Sequence, residues 1–184
     1  FLQWSNEAYL RFKPERRVPI YLGAMSPNML RSIGGVADGG LPLLFPPESY
    51  ADVLKYIQEG AEKAGRDMAE VDVAAAIWVS VSDDKEAAED VLKEKVAYYG
   101  HAMSPLVLDR LGLTLADFAG IEQAVQVDND IEKAKSLVTA PMMRIGIAGT
   151  TADLIKRLEG LVEMGATHIS FGPPLGPDLM TAIE

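Results

Sequence analysis

Val71-Asp72-Val73-Ala74-Ala75-Ala76-Ile77-Trp78-Val79-Ser80-Val81 is nearly continuous in apolar or small residues. A strand with one wet face alternates between apolar and polar. A strand that does not alternate is buried on both faces, the condition of a parallel sheet covered by helices. Helical signals flank this run. Upstream, Pro46-Pro47-Glu48-Ser49 leads into a helix from about Tyr50, with Val53, Ile57, Ala61 and Ala64 on one stripe and Gly65 as its C′ residue. Downstream, Asp83 and Glu86 form a capping-box pair that opens a helix through Val91, Leu92 and Val96, closed by Gly100.

Further out, the same strand-loop-helix unit recurs. Val18 to Ala24 predicts a strand, Ser26 an N-cap and Pro27 the first helical position. Met29, Leu30, Ile33 and Val36 follow at helical spacing, and Asp38-Gly39-Gly40 reads as the end of that helix. Leu41 to Phe45 predicts the next strand. From His101 to Pro141 the pattern is helical and less regular, with Asn129 or Asp130 capping Ile131 to Val138. Thr150 and Asp153 frame another helix start, whose expected buried stripe is Leu154, Ile155, Leu158, Leu161 and Val162. Gly165 ends it, Thr167 to Gly172 predicts a fourth strand, and Pro173 to Asp178 reads as a turn into an unfinished helix.

The order is β-α-β-α-β-(helical insertion)-α-β, and crossovers of this kind join parallel strands. Four parallel strands alone leave two open edges, whereas four strands as half of an eight-stranded barrel are readily accounted for. The predicted fold is therefore α/β: the second half of a parallel (β/α)8 TIM-type barrel, one domain over 1–184 with a helical insertion at about 101–141. A flavodoxin-like sheet is the alternative. The chain begins at Phe1 rather than Met and stops soon after a new turn, so it reads as cut from something longer.

Composition narrows the function classes. With 184 residues, 48% of them hydrophobic and 24% charged, the chain has the makings of one globular core. It contains no apolar run of the ~20 residues that a membrane helix needs, so no membrane partner is expected. The formal net charge of −10 repels a phosphate backbone, so no nucleic-acid partner is expected. There is no cysteine, which removes disulfides, zinc thiolates and thiol nucleophiles, and fits a reducing cytoplasm.

In a β/α barrel the functional face lies at the C-terminal strand ends, where helix N-termini also converge. Gly23-Ala24-Met25-Ser26, followed by Pro27, is the best anion-binding candidate there. Gly23 and Ala24 permit close backbone approach and Ser26 offers a hydroxyl, although Ser26 equally serves as a plain helix cap. Gly172 and Pro173, in the run Ser170 to Pro177, read as a rigid wall of the site or simply as a turn. His168 reads as a packed or hydrogen-bonded core histidine, and His101 as a residue at a helix C-terminus. Glu48 has two readings: an acid or base at a strand end, or a first-turn helix residue. Met142 and Met143 read as core fillers. There is no Ser-His-Asp order, phosphate loop or metal-ligand cluster, so neither a metal site nor a catalytic residue is assigned.

Several of these segments together resemble the luciferase-like oxidoreductases: Val18 to Ala24 with Ser26-Pro27 and Ala37-Asp38-Gly39, Gly60 to Arg66, and Asp72 to Ala75. Gly149-Thr150-Thr151, Gly165 to His168 and Gly172 to Asp178 are similar to the coenzyme F-420-dependent methylenetetrahydromethanopterin reductases within that superfamily. Ala102 to Leu108 sits where that subfamily has a helical insertion. The similarity spans nearly all of the chain but only the last half of a family member. It implies an oxidoreductase of one-carbon metabolism and methanogenesis, in which reduced F-420 (an 8-hydroxy-5-deazaflavin) passes hydride to a pterin-bound one-carbon group. It also implies that Gly23 to Ser26 approach the anionic side of the cofactor, and that the groups facing the ring belong to strands outside this chain. Leu41 to Pro47 departs from the reductase pattern towards bacterial F-420-dependent relatives, which leaves the substrate open. An FMN-dependent luciferase-like monooxygenase is the alternative within the superfamily. The alternative from another class is a non-catalytic half barrel that dimerises or only binds cofactor, and a homo-oligomer is expected.

Overall fold

In the computed structural model, residues 15–166 and 168–183 are described. The elements run β1 (Tyr21–Ala24), α1 (Pro27–Val36), β2 (Gly39–Pro42), α2 (Pro47–Lys63), β3 (Asp72–Val81) and α3 (Lys85–Tyr99). Short helices follow: α4 (Pro105–Arg110), α5 (Ala119–Gln126), α6 (Ile131–Ser136) and α7 (Ala140–Met143). The chain then returns to the sheet through β4 (Ile147–Gly149), α8 (Thr151–Glu163), β5 (His168–Leu175) and α9 (Leu179–Ile183).

The sheet is five-stranded and every pairing in it is parallel. β3 is its axis, as the unbroken apolar run requires. β5 lies along one edge of β3 from Ala74 to Ser80. The other edge is shared: β2 pairs with Asp72 and Val73 at the start, and β4 pairs with Val79 to Val81 at the end. Both faces of β3 are covered. Ile77 and Val79 pack with Ile147 and with Leu154 of α8, while Trp78 joins the cluster that holds Leu92, Val96 and Ala97 of α3.

Four strands were expected and a fifth is present. Ile147-Ala148-Gly149 is too short to stand out as a pattern, and its strand character comes from backbone pairing to β3. Gly39 and Gly40, expected to end a helix, are instead the first residues of β2. A side chain on Gly39 would meet the carbonyl oxygen of Asp72 at 2.7 Å, and one on Gly40 would press on Ile33. These glycines allow close packing of strand and helix rather than stopping α1. Val18 to Ile20 lie outside β1, and Ile20 is held by Asp38, whose carboxylate accepts from the Ile20 amide at 2.9 Å.

The predicted turn at Pro173 is also strand. β5 runs on to Leu175 through Pro173 and Pro174, and the pairing is irregular between Trp78 and Ser80. Among the described residues β5 pairs only with β3, and an edge strand tolerates proline because its outer N–H has no ladder partner to lose. Thr167, expected to begin that strand, lies outside the described residues. The helix caps follow the sequence closely. Thr150 and Asp153 form the predicted capping box of α8, while α3 is capped by Asp84 rather than Asp83. The buried stripe of α8 is narrower than predicted. Leu154 and Leu161 are buried, whereas Ile155 and Val162 are 54% and 57% exposed.

Candidate functional site

Helices α1, α2, α3 and α8 all start just after a strand, so four positive helix ends border the face where β1, β2, β3 and β4 finish. At the end of β1, Ser26 caps α1. Its Oγ accepts from the Met29 amide at 3.4 Å, and Pro27 supplies the preset first helical φ. The cap uses an acceptor lone pair, and the exposed hydroxyl keeps its proton to donate. Gly23 is exposed, and a β-carbon added there would meet only Leu43 Cδ1, at an ordinary 3.8 Å. No described neighbour therefore requires glycine at this position, which leaves bare backbone open to a ligand.

Met25, Ser26 and Pro27 form one wall of a groove of about 540 Å³, and Met103, Ser104 and Pro105 form part of the opposite wall. The tripeptide Met-Ser-Pro occurs at both places, and the fold sets the two copies face to face. That recurrence was the available signal for Met103 to Pro105 as site residues. Ser104 is buried, while Ser26 is exposed, so the two serines offer different surfaces to the groove.

Gly172 lies at the opposite edge of the sheet, paired in register with Trp78. A β-carbon there would sit 3.2 Å from Trp78 Cδ1, so glycine makes room for the indole. Trp78 also packs on Tyr99, with ring centroids 5.9 Å apart and tilted by 57°. The Lys95 ammonium lies 4.6 Å from the Tyr99 centroid. Pro173 and Pro174 face Tyr98 and Tyr99 across a cleft of about 400 Å³. Pro173 is thus part of a wall, but of this aromatic cleft. The structure does not bring Gly172 and Pro173 into the groove at Met25 to Pro27 or beside Gly23, because β2 and β3 stand between them.

Of the two readings of Glu48, the structure selects the first-turn helix residue. Its Oε1 accepts from Arg144 at 2.6 Å and from Arg157 at 2.9 Å, and its Oε2 from Arg157 at 3.0 Å. Burial pushes its pKa up, but the bonds from Arg157, the backbone and Arg144 outweigh this and hold the carboxyl below its ordinary range. A carboxylate so clamped is a structural anion rather than a proton shuttle.

His168 is a correction. It is exposed at the N-terminal end of β5, where Nδ1 lies 3.3 Å from Asp72 Oδ2. Tyr21 donates to the same oxygen at 2.6 Å. These three residues sit at the strand starts, away from the candidate face. His101 follows α3 in a 3-10 turn, as its place in the sequence suggests. Met142 is buried and Met143 packs against the core, in keeping with a filling role. No group of three or more His, Cys, Asp or Glu that could hold a metal ion occurs among the described residues. No helix among them is long and apolar enough to cross a membrane.

The profile of the family described as luciferase-like monooxygenase matches residues 1–168. The chain belongs to this family. This luciferase-like chain is 34% identical over 168 residues to the 5,10-methylenetetrahydromethanopterin reductase of Methanopyrus kandleri, covering 91% of the chain and 48% of that protein. It is 37% identical over 168 residues to the enzyme of the same name from Methanolobus tindarius, covering 91% of the chain and 52% of that protein. The solved structure of the coenzyme F-420-dependent tetrahydromethanopterin reductase of M. kandleri superposes with a TM-score of 0.83 at 33% identity, covering 91% of the chain and 48% of that structure. The luciferase-like chain thus spans about half the length of the curated relatives it matches. Its open parallel sheet corresponds to a partial β/α barrel.

Proposed function

We propose that this chain supplies half of the cofactor site of an F-420-dependent oxidoreductase of the methylenetetrahydromethanopterin reductase type. The observation that carries the proposal is the bare, exposed Gly23 beside Ser26 and the start of α1. Backbone N–H groups at a helix start, a free hydroxyl proton and a positive dipole end suit an anionic cofactor segment. Gly23, Ala24, Met25 and Ser26 would hold the anionic side of F-420, and the Met103 to Pro105 wall would close the groove over it. When bound, the deazaflavin supplies the hydride chemistry. The residues of this chain bind and orient. Among the described residues that line the groove there is no acid or base.

Relatives that this chain resembles are named for F-420 or for the methanopterin substrate, so FMN is not needed to explain the site. By analogy with the reductases among them, the proposed substrate is a pterin carrying a one-carbon group; a cytoplasmic setting and an oligomeric working form are part of the same proposal, from the sequence rather than from the relatives. The test is F-420 binding to the full-length protein, followed by fluorescence quenching. Gly23→Val fills the cradle and is expected to weaken binding about tenfold or more, while Ser26→Ala costs roughly five- to tenfold, one charge-assisted hydrogen bond. Unchanged affinity in Gly23→Val, or an oxidised FMN spectrum in the purified protein, overturns the assignment.

A further inference from the structure

A cavity of about 670 Å³ gathers positive charge in this acidic chain. It lies between α3 and α8, with the segment from Val138 to Ala148 joining them. Five of the chain's seventeen lysines and arginines line it, Lys85, Lys93, Arg144, Lys156 and Arg157, against the carboxylates Glu89 and Asp153. Lys85 and Lys93 are eight residues apart on one face of α3, and Lys156 and Arg157 answer them from α8.

Internal pairing does not neutralise this set. Arg144 and Arg157 share the single carboxylate of Glu48. Lys85 approaches Asp153 only to 3.7 Å, with both side chains about half exposed. Lys93 and Lys156 form no ion pair among the described residues. Concentrating like charges in a concave site raises their mutual repulsion, and a bound anion relieves it. Apart from Thr139, the rest of the lining is apolar or small, with Val138, Met143, Ile147 and Ala148 its largest apolar members. Charge on two walls and an apolar base define a ligand that carries an anionic group on a compact hydrophobic body.

We propose that this cavity binds a phosphorylated small molecule, with Lys93 and Lys156 as its principal phosphate ligands and Val138 and Met143 against its apolar part. The cavity shares no residue with the groove at Met25 to Pro27. The site extends the function beyond the cofactor reading and does not depend on it.

Phenyl phosphate is the probe, titrated calorimetrically into the full-length protein at constant ionic strength, with benzyl alcohol and inorganic phosphate as controls. Saturable binding of phenyl phosphate, tighter than either control, is expected. The double variant Lys93→Gln/Lys156→Gln is expected to bind at least about tenfold more weakly, and Lys93→Arg/Lys156→Arg to bind within a few-fold of the parent. Lys156 is exposed and Lys93 half-buried, and neither forms an ion pair among the described residues, so the melting temperature without ligand is expected to stay within a few degrees of the parent and reports that the fold is intact. Absence of saturable binding, or equal affinity in the Gln variant, overturns the proposal. Because probe and readout contain no F-420, that failure would leave the cofactor assignment standing.

Discussion

Gly60 of α2 packs directly on the backbone of Arg31 in α1: a β-carbon at Gly60 would overlap the Arg31 carbonyl oxygen. Gly34 of α1 stands in the same relation to the Ile57 carbonyl of α2, so each helix presents a glycine to the backbone of the other. Such an approach is open only to residues without a side chain. Helix propensity alone favours alanine over glycine by about 1 kcal/mol. Here packing reverses that sign. Gly60→Ala is expected to destabilise by about 3 kcal/mol or more, since backbone cannot give way. At Gly35 a β-carbon would come no closer than 3.6 Å to Gly60 O. Gly35→Ala is expected to be neutral or to stabilise by up to ~1 kcal/mol. Denaturant unfolding of the two variants checks the contrast.

Glu48 ties the start of α2 to Arg144, after α7, and to Arg157 in α8. Replacing it with glutamine leaves two guanidiniums facing each other without a counter-ion. Glu48→Gln is expected to cost about 1–2 kcal/mol, a value between exposed and buried pairs because the arginines are partly solvated. The loss should shrink as salt is raised, since screening weakens the repulsion that remains. Melting curves at low and high salt decide it. An effect on hydride transfer at constant stability would instead restore a proton-transfer role.

Tyr50 is fully buried and its hydroxyl has no partner among the described residues. Burial, with the charge of Asp72 adding to it, pushes the phenol up to about 12. A buried unsatisfied hydroxyl costs roughly 1–3 kcal/mol. Tyr50→Phe keeps the ring and removes the orphan, so it is expected to raise stability by about 1 kcal/mol, whereas Tyr50→Ala empties the site and costs about 3–5 kcal/mol. A Phe variant less stable than the parent would show that the hydroxyl is bonded in solution.

The Tyr21–Asp72 bond predicts a two-sided pH dependence. The hydrogen bond from Tyr21, assisted by His168, lowers the Asp72 pKa despite partial desolvation, and the same bond raises that of Tyr21. A depressed carboxyl contributes stability above its unfolded pKa, which is lost as pH falls through the folded value. A raised phenol contributes stability below its unfolded pKa, which is lost as pH rises through the folded value. The stability advantage of the parent over Tyr21→Phe is therefore expected to be full between about pH 5 and 9 and to shrink on either side. Thermal melts of both proteins across pH test this. A difference that does not vary with pH would place the contribution in packing alone.

Much of the architecture was legible in the chain because its signals are local. The double burial of β3 shows as an unbroken apolar run, and Ser26-Pro27 and Thr150 with Asp153 announce their helices through caps three residues long. Where reading failed, the reason was long-range. Gly39 and Gly40 look like a helix stop, yet their smallness answers to Ile33 and Asp72 across a contact that local pattern does not reveal. β4 is strand only because Val79 to Val81 pair with it. Proline in Pro173-Pro174 argued for a turn, and only the edge position of β5 makes a strand there permissible.

The candidate site divides in the same way. By itself the sequence determined the strand end at Gly23 and Ala24, the short connection through Met25 and Ser26 and the helix start after it, since all of these follow from neighbours within a few residues. Only the tertiary structure decided that a second Met-Ser-Pro corner faces the first from 78 residues away. It alone disarmed Glu48, through arginines 96 and 109 residues downstream. It also gathered five scattered cations around one cavity. Caps and periodicity are written in consecutive residues, whereas the meeting of distant side chains depends on the path of the whole chain through the sheet.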